Sequence, residues 1–243
     1  MAEEDVVTVY SVESIKGGVG KTTVAENLGI LLARSRKKVL LIDADLAMSG
    51  LTTVLGVGER PLTLHDLLAG KGEVKKALYE AYGVHLLPSG PTVGGFLHAD
   101  PNKLKGIVNK VANEYDYVII DTPPGISKYS LTPLKLCDEV LIIVNPDVAS
   151  VESASKLEAI IELLGVKIGG VVLNRMKKPS FFNRRKVMKA EVVQQKLKSK
   201  IIGIIPEDHT VIEAANLRKP VVVYDQKCQA SQGFRTLAAK IMI

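Results

Sequence analysis

One run, Ser14-Ile15-Lys16-Gly17-Gly18-Val19-Gly20-Lys21-Thr22-Thr23, constrains the fold of this chain more than any other. Residues 6–12 before it are rich in β-branched side chains and read as a strand. Residues 24–34 after it repeat apolar side chains at helical spacing. Strand, glycine loop and helix in that order make a cradle for phosphate. Gly17, Gly18, Val19 and Gly20 form its wall, the glycines letting backbone N–H groups turn inward, and the helix start adds its positive dipole end. Lys21 offers a point charge to the β and γ phosphates, Thr22 a hydroxyl to Mg²⁺, and Thr23 a bond to the α phosphate. The rest of the chain alternates short apolar strands with helical segments. This predicts an α/β fold: a mostly parallel central sheet of about seven or eight strands, helices on both faces, in a single domain over residues 1–243.

The usual spacing G-x-x-x-x-G-K-[ST] asks for glycine at position 15, where this chain has Ile15. It also carries one lysine, Lys16, more than phosphate binding requires. The segment K-G-G-V-G-K-T-T resembles the deviant Walker A box of the MinD/ParA family of ATPases. That resemblance implies ATP and Mg²⁺ as cofactors and a homodimer that assembles when both sites hold ATP. In the family the early lysine, here Lys16, reaches the nucleotide of the second subunit.

Two further strand ends extend the likeness. Residues 38–43 read as a short buried strand whose carboxyl end carries Asp43-Ala44-Asp45, which resembles switch I; there Asp45 would polarise the attacking water and Asp43 would lie near the metal. MinD relatives place Arg-Asn where this chain has Ser49-Gly50. Residues 115–125 hold an apolar strand ending in Asp121, then Thr122-Pro123-Pro124-Gly125, similar to Walker B and switch II. The expected metal ligands are thus Thr22, Asp43 and Asp121, and the expected catalytic groups Lys16, Lys21 and Asp45. By the same resemblance Asn174 and Pro206 would recognise adenine, with Arg175, Glu207 and Asp208 beside them.

Elsewhere, helices are expected at 63–70, 73–82, 102–114, 149–164 and 232–243, a surface loop at 91–101, and strands with their turns at 84–90, 138–147, 168–175 and 201–208. Charge is uneven: of the net +6, the stretch 175–200 contributes +9 and the remainder −3. An amphipathic basic helix over 184–200 is expected there, with Lys177, Arg184, Arg185, Lys189, Lys196 and Lys198 available to DNA phosphates or another acidic partner. An ATP-switched, non-specific DNA-binding partition protein is the alternative to a MinD-like ATPase that times its association with a surface or partner, and a metallochaperone-type ATPase is a third. Cys137 and Cys228 form no paired motif and the four histidines no metal spacing. The acidic start and the lack of a long apolar run predict a cytoplasmic protein. Bacterial MinD has a C-terminal membrane-binding helix for which no residues remain here, so membrane recruitment by that route is not expected.

Overall fold

The computed structural model describes residues 7–90, 93–177 and 188–243. Eight strands form one sheet: β1 Thr8–Glu13, β2 Val39–Asp43, β3 Tyr79–Ala81, β4 Val84–Leu87, β5 Tyr117–Asp121, β6 Glu139–Val144, β7 Lys167–Met176 and β8 Ile201–Pro206. Their order is β3-β4-β2-β5-β1-β6-β7-β8, parallel except for the β3–β4 hairpin.

Parallel strands covered on both faces are apolar at nearly every position. In β2, Val39 and Leu41 face one side and Leu40 and Ile42 the other, all four essentially inaccessible. On the first side lie the helix Lys21–Arg34 (α1), through Val24 and Leu28, and the helix Gln229–Ile241, through Phe234 and Leu237. On the second side the helices Leu64–Leu68 and Leu104–Asn109 cover β2 and β5, and the helix Val148–Leu163 covers β6 and β7. The winding reverses at β1. From there the chain runs outward to β2 and β4, returns to insert β5 beside β1, and continues to the other edge. Such a reversal opens a crevice beyond the carboxyl ends of the central strands, where open α/β sheets bind ligands.

Four expectations are corrected. Residues 73–82 are not a helix: a 3₁₀ turn Val74–Ala77 leads into β3, the eighth strand, which pairs antiparallel with β4. Tyr82 and Gly83 both have positive φ, at 53° and 81°, the signature of a two-residue hairpin turn. The expected loop at 91–101 contains a short helix, Val93–His98. The 102–114 helix is broken into Pro101–Lys103, Leu104–Asn109 and Ala112–Glu114. Of the 184–200 helix only Ala190–Lys196 is helical among the described residues. It buries Val193, and Leu197 has already turned to extended backbone. Arg184 and Arg185 lie outside the described residues.

Candidate functional site

β1 delivers the glycine loop to the centre of the sheet's carboxyl edge, and Lys21 is the first residue of α1. Gly18 and Gly20 have φ of 74° and 98°, which a side chain would resist. Lys21 is buried and folds back under the loop, its Nζ donating to Ser14 Oγ at 3.1 Å; Ser14 Oγ in turn donates to the Lys16 carbonyl at 2.9 Å. Burial holds the Lys21 ammonium below its ordinary range, against the pull of Asp121, Glu13 and Asp45.

Asp43 and Asp121 are register partners on the adjacent strands β2 and β5, and neither is accessible to solvent. Thr22 Oγ1 donates to Asp121 Oδ2 at 2.6 Å. Asp43 Oδ2 accepts from the Thr52 N–H at 3.0 Å and its hydroxyl at 2.8 Å. The other oxygen of each carboxylate, Oδ1, is buried with no donor. Burial pushes Asp121 up to about 8, with the charge of Asp43 adding to it, and burial pushes Asp43 up to about 6. Two side-by-side carboxylates with unsatisfied oxygens, next to a threonine hydroxyl, suit a hard divalent cation. Among the described residues no three acidic, histidine or cysteine side chains converge as a self-sufficient metal site.

The rim carries the solvent-exposed groups. Lys16 is about 40% exposed and its Nζ pairs at 2.9 Å with Asp147 Oδ1, at the start of the helix Val148–Leu163. Asp147 also caps that helix by accepting from the Ser150 N–H at 2.9 Å. Partial burial raises its pKa, but Lys16 and the helix N–H groups outweigh it and hold Asp147 below the usual carboxylate range. Gly125, at φ 88°, donates its N–H to the Ser14 carbonyl at 3.2 Å, tying the loop after β5 to the glycine loop. Asp45 is half-buried and accepts from the Met48 N–H at 3.2 Å. Ser49 has φ 40°, and Gly50 approaches Thr22 so closely that a Cβ would lie 3.0 Å from its hydroxyl. The segment after Asp45 is thereby pressed onto the threonine.

A separate cleft opens beside α1. It is lined by Thr23, by Asn174 and Arg175 near the end of β7, by Pro206 and Glu207 at the end of β8, and by Asp208, over the apolar Ile205 and Phe234. Asp208 is largely committed to structure: its carboxylate caps the helix His209–Asn216 through Thr210 N at 3.0 Å and accepts from Ala230 N at 3.2 Å. Glu207 pairs with Lys177 at 3.6 Å. The five residues expected at the base, Asn174, Arg175, Pro206, Glu207 and Asp208, all border this one hollow.

A family model described as an AAA domain matches residues 7–169. An uncharacterized ATP-binding protein of Methanocaldococcus jannaschii is 36% identical, over 96% of this chain and 86% of its own length. The septum site-determining protein MinD of Thermotoga maritima is 32% identical, over 96% of this chain and 87% of its own. The chain belongs to the MinD/ParA family of P-loop ATPases. The MinD structure solved with Mg-ADP from Pyrococcus horikoshii superposes with a TM-score of 0.90 at 30% identity, covering 97% of this chain and 96% of that one. Nucleotide and Mg²⁺ binding is thus a property of the family, and the eight-stranded sheet is its fold.

Two buried acids in this MinD/ParA-family chain escape sequence reasoning. Glu13, at the end of β1, is pushed by burial up to about 8. Ser11 Oγ donates to it at 2.7 Å, and it lies 2.9 Å from Thr122 Oγ1, whose hydroxyl also has the Val12 carbonyl at 2.7 Å. A protonated Glu13 satisfies all three contacts with one proton each. Glu26 is buried on α1, one turn beyond Thr22. Burial, and then the charge of Asp121, raise its pKa well above the usual value, and its Oε2 has no donor. The only linear hint was its spacing of four from Thr22, which places both on one helix face.

Proposed function

We propose that this protein binds Mg-ATP, dimerises through the nucleotide face when ATP is present, and hydrolyses ATP slowly to time its association with a surface or regulatory partner. The observation that carries the reading is the opposite disposition of the two loop lysines. Lys21 is turned inward beneath its own phosphate loop, whereas Lys16 is turned outward to the rim, held by a single exchangeable ion pair. Exposed apolar side chains support an interface on this face. Met48, Ile126 and Val148, 76%, 53% and 57% exposed, follow the carboxyl ends of β2, β5 and β6 respectively.

In this mechanism Lys21 and the loop N–H groups bind the β and γ phosphates, and Asn174 with Pro206 receives the base. Thr22 and Asp121, with Asp43 beside them, would hold Mg²⁺, which supplies neutralising charge at the phosphate oxygens. Asp45 orients the attacking water for in-line displacement. The partner subunit's copy of Lys16 stabilises charge on the transferred phosphoryl group. Reaching it requires Lys16 to leave Asp147 and Gly125 to release Ser14. Size exclusion and ATPase assays with and without ATP test the reading: a protein that stays monomeric at saturating Mg-ATP contradicts it.

The ion pair to Asp147 competes with dimer formation, so Asp147→Asn, which keeps an oxygen for the helix cap, should favour the dimer. A partly exposed pair contributes roughly 0.2–1 kcal/mol. The ATP-dependent dimer should therefore form at a severalfold lower protein concentration, measured by analytical ultracentrifugation.

A second reading rests on the charge asymmetry. Lys189 and Lys196 lie on the positive stretch, whereas Lys177 is paired with Glu207 at 3.6 Å and Lys198 with Glu162 at 2.8 Å. If ATP switches non-specific DNA binding there, affinity for duplex DNA should need ATP and fall steeply with salt, with a slope set by the number of phosphates neutralised. Fluorescence anisotropy with duplex DNA across a salt series reads this directly, and ATPase assays with liposomes, DNA or neither separate the candidate surfaces.

A further inference from the structure

We infer that Asn174 is a positioning residue for the phosphate cradle as well as a wall of the base cleft, so that one side chain couples the two halves of the nucleotide site. The inference rests on the ATPase reading above and goes beyond it, since resemblance gives Asn174 to the base alone.

Asn174 is 5% exposed, and its Nδ2 donates to the Val19 carbonyl at 2.7 Å, across 155 residues of sequence. Its amide occupies the place that a side chain on Gly20 would need: a Cβ there would lie 2.3 Å from Nδ2. The Val19–Gly20 peptide is trans, so its C=O and N–H point in opposite directions. Anchoring the Val19 carbonyl on the Asn174 side therefore turns the Gly20 N–H to the other side of the peptide, toward the hollow of the loop. Lys21 follows directly, so the same anchor sets the angle at which α1 and its lysine leave the loop. The positive φ of Gly20 and the burial of Val19, 1% exposed, leave this peptide in one orientation only while the anchor holds. Asn174 also borders the cleft shared with Thr23, Arg175 and Pro206. A base that engages this amide acts on the phosphate cradle through a single side chain, with no change in the sheet.

The test separates phosphate from base. Isothermal titration with Mg-tripolyphosphate, which has no base, is run on the wild type, Asn174→Ala and Asn174→Asp. Asp keeps the shape but, when ionised, has no proton to donate to Val19. Both variants should bind tripolyphosphate about tenfold more weakly, the scale of one lost buried hydrogen bond and a stranded carbonyl. A melting curve for each variant checks folding, and the isosteric Asp variant carries the test if the Ala variant does not fold. Wild-type affinity for tripolyphosphate in either folded variant, with only ATP binding weakened, would confine Asn174 to the base and overturn the inference. A wild-type protein that binds neither ATP nor tripolyphosphate would instead overturn the ATPase reading itself, and the inference with it.

Discussion

Lys16→Ala is expected to give a protein that still binds ATP near wild-type strength, elutes as a monomer in its presence, and hydrolyses it about 10²–10³-fold more slowly, the usual cost of losing one charge-stabilising donor. The physical grounds are local. Lys16 contributes its backbone to the loop through the Ser14 hydroxyl, which alanine preserves, and its ammonium points to Asp147, away from the buried Lys21. Removing the side chain therefore spares the cradle and deletes only what a partner could use. Size exclusion with Mg-ATP and single-turnover kinetics check both halves. An unchanged dimer would refute the role given to Lys16, and unchanged hydrolysis would refute its part in catalysis.

The second large effect is expected at Asp121. Its pKa in the folded protein is about 8 against an ordinary 3.8, so between about pH 4 and pH 8 the unfolded chain has released a proton that the folded chain retains. Stability of the nucleotide-free protein therefore falls as pH rises through that window. Below it, both states are protonated and no penalty exists. A shift of this size has an upper bound of about 6 kcal/mol. Asp121→Asn removes the penalty and should raise the melting temperature of the nucleotide-free protein at pH 8 by at least ~5 °C, with little change at pH 4. The same variant should lose Mg²⁺-dependent hydrolysis by about 10²-fold or more, since Thr22 is left beside an uncharged amide. Calorimetry across pH, paired with ATPase assays, checks the trade. A melting temperature at pH 8 that is unchanged or lower would show that the buried carboxylate is not held at a cost.

What the sequence made legible was whatever a few adjacent residues decide. The glycine loop with Lys21 and Thr22 was legible, as was Asp121 at the end of an apolar run, because there the chemical requirement and the chain order coincide. β3 was not. It has three residues, owes its conformation to pairing with β4, and is turned by Tyr82-Gly83, whose glycine reads equally well as a helix stop. The partners of the site were invisible for a related reason: Lys16 meets Asp147 across 131 residues, and Asn174 meets Val19 across 155. Glu13 and Glu26 look like ordinary acids in a line of text. Packing on the sheet is what buries them: Glu26 sits on α1, and Glu13 lies on the face of β1 opposite α1, the face of Val9.

The side-by-side placement of Asp43 and Asp121 also says where this chain can vary. A single residue deleted within β5 would rotate the aspartate to the opposite surface of the sheet while leaving a hydrophobic ribbon that still pairs. Such a protein would lose the paired carboxylates and exchange the side chains of β5 between the two cores. Strand length is thus fixed by chemistry as well as by packing, and new specificities in chains of this build are written into the connections beyond the strand tips.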